Sequence, residues 1–198
     1  TVRTSIGGAD RSSFCGVHYI MQGKYERRAP EDGVDEIASI QEEKIYFVDD
    51  EMFLDVPRAR RIAELLIERG IRKSYYSWAR SDTIVANRDL FDVWKKAGLG
   101  MVYVGLESMK DAQLDEYGKR TGADTNTRAV AMLREVGITL HGCFIVKPDF
   151  TVEDFRALEK ESAAISPAEI TFTVLSPSPG TKFWHDTRDT FICDPYHY

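Results

Sequence analysis

Cysteine is scarce: the 198 residues hold three, Cys15, Cys143 and Cys193. Their odd number and wide spacing exclude a disulfide framework and point to a reducing compartment. Long apolar runs are missing as well. None approaches the roughly 18–20 residues a membrane span requires, and no charged-then-apolar leader opens the chain. The expectation is a cytoplasmic protein with no membrane partner. Positive charge is in deficit, 26 Lys+Arg against 32 Asp+Glu for a net charge of −6. A broad phosphate-neutralising surface, and with it a nucleic-acid partner, is therefore not expected. The stretch Arg58, Arg60, Arg61 lies among helix formers and reads as a solvated helix face. There is no initiator Met, and Thr1 leads straight into a strand-like run. Residues 1–198 read as one domain excised from a longer chain.

What is present is an ordinary globular composition, 43% hydrophobic and 29% charged, arranged in a regular alternation. Apolar and β-branched runs stand at 2–6, 44–48, 73–79, 101–106, 139–146 and 169–175, each bounded by polar residues or glycine. Helix-period stretches separate them. Asp55 and Pro57 open one that closes at Gly70, with Ile62, Leu65 and Leu66 on its apolar face. Asn87 opens another, carrying Leu90, Phe91 and Trp94 and closing at Gly98. A third runs from Thr127 to Val136 and ends at Gly137. Thr151 with Asp154 forms a capping box for a fourth. The joints Gly70-Ile71, Gly98-Leu99 and Gly137-Ile138 repeat one α-to-β connection. Such alternation implies parallel strands with right-handed crossovers. Six units of about 33 residues fall short of the roughly 250 residues of a complete eight-unit barrel. The fold class is thus α/β, a partial TIM-type (βα)6 barrel, with an open doubly wound sheet as the alternative.

In either architecture ligands bind at the C-terminal ends of the strands. There the sequence turns polar: Asp49-Asp50-Glu51, Arg80-Ser81-Asp82, Glu107-Ser108, Lys147-Pro148-Asp149 and Ser176-Pro177-Ser178. A ring bearing both signs of charge suits a small molecule carrying both. Asp49 to Glu51 also offer hard oxygens for a divalent cation, the basis of a metal-dependent barrel hydrolase reading. Cys143 lies within a strand and reads as a core residue. His18 reads as a loop residue, and Tyr75, Tyr76 and Trp78 as packing. Cys193, His197 and His185 lack the two paired halves of a zinc site.

The segment Thr4-Ser5-Ile6-Gly7-Gly8-Ala9-Asp10-Arg11-Ser12-Ser13-Phe14-Cys15 resembles the first-strand exit of radical S-adenosylmethionine enzymes. Phe47 to Phe53 resembles the second-strand motif of the branch that carries an upstream cobalamin-binding domain. Val104-Gly105-Leu106-Glu107-Ser108 and the continuation Leu114 to Thr121 resemble the fourth-strand exit. Gly142 to Pro148 resembles the fifth, with Lys147 where a glycine is expected, and Leu175 to Thr181 resembles the sixth. The resemblance implies a Cys-x3-Cys-x2-Cys loop that binds a 4Fe-4S cluster. Cys15 matches its last position, while Gly8 and Ser12 stand where the other two thiols belong. It further implies S-adenosylmethionine as cofactor, its amino group near Asp49, Asp50 and Glu51, its carboxylate near Arg80, and Glu107 at the amino group or ribose. Ser108 and Ser176 belong to the strand exits that surround the rest of the ligand.

The chemistry so implied is reductive cleavage to a 5′-deoxyadenosyl radical, in a cobalamin-dependent methyl transfer or rearrangement. Flavodoxin or ferredoxin would supply the electrons, and the cobalamin would be held by a domain upstream of Thr1. A single thiol cannot hold a cluster in that manner, because a hydroxyl is a far poorer iron ligand than a thiolate. Two competing expectations therefore stand beside the enzyme: a cluster-free, non-catalytic scaffold of natural or engineered origin, and the hydrolase.

Overall fold

The computed structural model describes residues 1–8 and 12–190. A short hairpin comes first, β1 (Ser5–Gly7) and β2 (Tyr25–Arg27), with helix α1 (Gly16–Ile20) between its strands. Then follow α2 (Pro30–Ser39), β3 (Lys44–Tyr46), α3 (Val56–Glu68), β4 (Ser74–Ala79), α4 (Ser81–Ala86), α5 (Arg88–Ala97) and β5 (Leu99–Glu107). The remainder is α6 (Asp111–Glu116), α7 (Ala123–Val136), β6 (Thr139–Val146), α8 (Val152–Ile165), β7 (Glu169–Val174) and α9 (Lys182–Thr187), closed by a 3-10 turn, Arg188–Thr190.

Strands β3 to β7 form one parallel sheet in chain order, the partial barrel the alternation predicts. Its first member differs from expectation. Only Val2 joins the parallel order, through a single bridge to Phe47. Residues 5–7 turn away and pair antiparallel with 25–27. Asp49 explains the turn, since it captures the Thr4 amide and hydroxyl and the Ser5 hydroxyl.

Several local signals act as read. Asp55 caps α3 by accepting the Arg58 amide. Thr151 and Asp154 complete the capping box of α8. Gly98 and Gly137 end α5 and α7 at φ 116° and 78°, and the next amide in the chain, that of Ile138, returns to Leu133 at 2.9 Å. Such left-handed closures reverse the chain from helix into strand without a Cβ penalty.

The core lies between the convex sheet face and the helices. Trp94 of α5 sits fully buried among Phe47, Phe53 and Tyr75 and donates its indole N–H to the Ala59 carbonyl at 3.1 Å. Val102, Val104 and Leu106 face this core, so the alternate positions Tyr103, Gly105 and Glu107 face the concave side. Two residues depart from their sequence readings. Arg58 is not a solvated helix residue: it is 7% exposed and donates to the carbonyls of Arg28 and Thr4. Cys143 is only half-buried and lies in register with Gly105 on the concave side, not in the core.

Candidate functional site

The exit of β3 holds the loop that follows β1. Asp49 is 1% exposed; its Oδ2 accepts the Thr4 amide at 3.0 Å, and its Oδ1 accepts the hydroxyls of Thr4 and Ser5 at 2.7 and 2.5 Å. Asp50 accepts the Gly7 amide at 2.9 Å. Arg58 completes the clamp from α3, donating to the Thr4 carbonyl at 2.6 Å. Three charged side chains thus fix the backbone of 4–7, and with it the start of the segment carrying Gly8, Ser12 and Cys15.

Described residues of that segment line one wall of a cavity of about 510 Å³ at the C-terminal ends of the sheet, within the usual range for small-molecule sites. Gly8, Ser12 and Cys15 line this wall; Glu51, Arg80, Glu107 and Lys119 line others. Deeper along β3 and β4, Tyr46 and Trp78 border the same space. The Trp78 indole donates to the Tyr46 hydroxyl at 2.5 Å, and its ring packs on Tyr103, which in turn packs on His141.

The cations Arg80 and Lys119 each stand against carboxylates in the cavity. Arg80 lies 3.4 Å from Glu51, and its guanidinium grips Asp82 through Nε and Nη2 at 3.0 and 2.9 Å. Burial pushes the Asp82 carboxyl up, but the Arg80 hydrogen bond and charge outweigh it and hold the group below the usual value. On the other side Lys119 lies 3.0 Å from Glu107, both largely enclosed, with side chains 11% and 13% exposed.

Strand β5 is shaped around Glu107. Its ladder to β6 shifts register between Gly105 and Glu107, and Glu107 adopts φ 62°, a left-handed conformation uncommon outside glycine. Asn126 of α7 clamps this bend by donating to the carbonyls of Leu106 and Ser108 at 2.9 and 3.1 Å, while accepting the Ser81 hydroxyl at 2.6 Å. Gly105 leaves the space into which the carboxylate folds, since a Cβ there would stand 2.6 Å from Glu107 Oε1. Burial, followed by the Glu107 charge and opposed by Lys119, pushes the Cys143 thiol up to about 11.

The structure therefore brings Asp49, Asp50, Glu51, Arg80 and Glu107 to one cavity with Cys15. Ser108 and Ser176 are not among its lining residues. Ser108 is buried and turned onto Gln113 and the Lys110 amide, and Ser176 donates to its neighbour Val174. His18 lies in α1 and lines the cavity, contrary to its reading as an ordinary loop residue. Trp78 lines it too, so packing is not its whole account. Lys119 escaped the sequence reading, although it sits in the Leu114 to Thr121 continuation. Cys193 and His197 fall outside the described residues. Among the described residues, no group of three or more His, Cys, Asp or Glu converges on a metal position, and no helix is long and apolar enough to cross a membrane.

A parallel half-barrel with a charged cavity at its strand ends, bordered by Gly8, Ser12 and Cys15, defines a class of ligand-binding α/β proteins. Within that class, the model of the Radical SAM superfamily matches residues 5–161, and the chain belongs to that superfamily. The hopanoid C-3 methylase of Methylococcus capsulatus is 30% identical over 191 residues, covering 93% of this chain and 37% of the methylase. The anaerobic magnesium-protoporphyrin IX monomethyl ester cyclase of Cereibacter sphaeroides is 26% identical over 185 residues, covering 89% of this chain and 30% of the cyclase. This chain thus spans well under half the length of these curated relatives. Among solved structures, the radical S-adenosylmethionine methyltransferase TsrM from Kitasatospora setae, with cobalamin and a 4Fe-4S cluster bound, superposes with a TM-score of 0.81 at 20% identity, over 96% of this chain and 39% of that one. The cobalamin-dependent radical enzyme OxsB, with aqua-cobalamin and S-adenosylmethionine bound, gives 0.77 at 19% identity over 96% and 35%.

Against the cluster that this family implies, the donor set is short. Of positions 8, 12 and 15, only the last carries a thiol. Ser12 is 1% exposed, and a Cβ added to Gly8 would come within 2.9 Å of Glu51 Oε2.

Proposed function

We propose that residues 1–198 form one unit of a longer, cobalamin-linked protein of the radical SAM superfamily, and that this unit binds an S-adenosyl ligand without a three-thiolate iron–sulfur cluster. The observation that carries this reading is the cavity itself. Side chains of both charge signs converge on a wall formed by 8, 12 and 15, where one thiol, one hydroxyl and one bare glycine do not fit the cluster. A zwitterionic sulfonium ligand matches such a mixed-charge lining. In this reading Asp49 and Asp50 hold the loop, while Glu51, Arg80 and Glu107 border the ligand. The chain's work is to bind and orient the adenosyl group and to exclude water from it, for a partner domain or substrate brought to the open side.

The test is equilibrium dialysis of S-adenosylmethionine and S-adenosylhomocysteine against the intact chain, with iron and acid-labile sulfide assayed on the same sample after anaerobic reconstitution. Stoichiometric ligand with negligible iron supports the reading. Stoichiometric iron and sulfide would overturn the cluster-free part, and absence of ligand binding would overturn the rest. The paired replacement Gly8→Cys and Ser12→Cys supplies the complementary arm. It is expected to yield a brown, iron-containing protein that reductively cleaves S-adenosylmethionine with a flavodoxin or ferredoxin donor, provided Glu51 shifts from the new Cβ.

A further inference from the structure

The concave face of the sheet carries a second chemical feature, apart from the charged strand ends. Trp78, Tyr103, His141 and Glu169 occupy one register row across β4 to β7. Their rings lie side by side, Trp78 on Tyr103 at 5.2 Å and Tyr103 on His141 at 4.6 Å. The Trp78 end of the row borders the cavity. With strands about 4.8 Å apart, the row from Trp78 to His141 extends about 10 Å, a length that suits a fused-ring body.

At the β7 end the row turns polar. Glu169 Oε2 lies 3.0 Å from His141 Nδ1, and Thr171 Oγ1 lies 2.7 Å from Nε2. An ionised carboxylate only accepts, so it fixes the proton of the neutral ring on Nδ1 and leaves Nε2 to accept the Thr171 hydroxyl. Carboxylate, imidazole and hydroxyl thus form one directed chain. The imidazole is largely enclosed, its side chain 12% exposed against 56% for Glu169, while Thr171 is exposed. A pair whose carboxylate is that exposed adds little stability, and it needs no hydroxyl on the second ring nitrogen. Proton transfer needs that order: an orienting acid, a base and a hydroxyl at the open end. The other titratable groups on this side of the ring are Tyr103 of β5 and Cys143, next along β6. Burial, with the Tyr46, Glu169 and Cys143 charges adding to it, holds the Tyr103 phenol above its usual value. Cys143 is raised as well, so both keep their protons at neutral pH and leave His141 as the base.

We propose that Thr171, His141 and Glu169 form a proton-accepting site for a flat, fused-ring ligand that carries a phenolic O–H, its ring body lying along Trp78 and Tyr103. Among oxygen acids, carboxylic acids are already ionised at neutral pH and alcohols are too weak, which leaves a hydroxyl conjugated with the ring. The ligand O–H bond breaks, its proton passes to Thr171 Oγ1, and the Thr171 hydroxyl proton passes to His141 Nε2. The electron pair stays on the ligand oxygen, now a phenolate that accepts from the Thr171 hydroxyl. The imidazolium so formed faces the Glu169 carboxylate, and no co-reactant is consumed. His141 is the base, Thr171 the relay in contact with the ligand, and Glu169 a positioning residue. The assignment goes beyond the S-adenosyl reading and does not depend on it.

The test titrates the intact chain with 7-hydroxycoumarin, whose neutral and ionised forms absorb at different wavelengths, at pH values below the probe's own pKa. Saturable binding with appearance of the ionised band is expected. 7-Methoxycoumarin keeps the fused rings without the O–H and should bind about tenfold more weakly, for want of one charge-assisted hydrogen bond. Trp78→Ala should weaken both probes alike. The ionised band should vanish in His141→Gln and Thr171→Val, and should appear only at higher pH in Glu169→Gln. All three variants should keep parental far-ultraviolet circular dichroism and parental affinity for 7-methoxycoumarin. Thr171→Val, an isosteric change at an exposed position, decides the matter if His141→Gln does not fold. A bound probe that stays neutral in the parent would overturn the proton-accepting site, as would an ionised band that persists in Thr171→Val and His141→Gln. Absence of saturable binding would overturn the ligand class as well. None of these results bears on S-adenosyl binding, which dialysis tests separately.

Discussion

At the scale of single residues, the chemistry of the cavity is set by what surrounds each group. Cys143 illustrates it. Its thiol, pushed up to about 11 from an ordinary 9.0 by burial and by the Glu107 charge, stays protonated at neutral pH and is a weak nucleophile there. Alkylation mapped by mass spectrometry should therefore label Cys143 slowly at pH 8 and accelerate only as the pH approaches 11; rapid labelling at pH 8 would contradict the assignment. The same shift has a stability sign. Between about 9 and 11 the folded chain keeps a proton that the unfolded chain has released, so the contribution is full below pH 9 and is lost as pH rises through 11. Tyr75 and Tyr117, both raised to about 12 by burial, act in the same direction above pH 10. The melting temperature should fall on the alkaline side, and less steeply in Cys143→Ala.

At the scale of elements, the joints between helix and strand were legible because each depends on a few adjacent residues: Asp55 with Arg58, Thr151 with Asp154, and glycine before Ile or Leu. The β1–β2 hairpin was not, because Asp49 lies 45 positions from Thr4 in sequence and nothing local announces that it will pull residues 4–7 out of the parallel order. Arg58 was misread for the same reason: its carbonyl partners on Thr4 and Arg28 lie 54 and 30 residues away. Asn126 shows how an element boundary governs the site. It ties α7 to the bend of β5, and its removal leaves the Ser108 carbonyl and the Ser81 hydroxyl without these partners, while the Leu106 carbonyl keeps the Ser108 amide at 2.7 Å. Such orphaned groups cost roughly 1–3 kcal/mol each. Asn126→Ala should lower unfolding free energy in urea by about 3 kcal/mol and also weaken S-adenosylhomocysteine binding; unchanged binding would show that the bend does not need the clamp.

At the scale of the molecule, the parallel order and the strand-end cavity follow from alternation and connection rules, and most of the cavity wall stood at the predicted exits. Lys119 did not stand at a strand exit, because it reaches the cavity from the turn after α6, where only the tertiary fold brings it to Glu107. The last strand, β7, leaves its outer face bare, with Phe172 and Val174 50% and 56% exposed. Among the described residues, the half-barrel is covered on its β3 side by Val2 and the hairpin, while Phe172 and Val174 stand exposed on the other.

The left-handed backbone at Glu107 sets two selection pressures against each other. Glycine in its place would relieve roughly 1 kcal/mol or more of backbone strain, but would remove the carboxylate that meets Lys119 at 3.0 Å in the cavity wall. Glu107→Gly should therefore relax the bend of β5 while weakening S-adenosylhomocysteine binding, read by calorimetry; undiminished affinity would show that the carboxylate does not border the ligand. A library of this chain screened for heat tolerance alone would do nothing to preserve the carboxylate at 107, because such a screen rewards the relaxed backbone and is blind to the cavity.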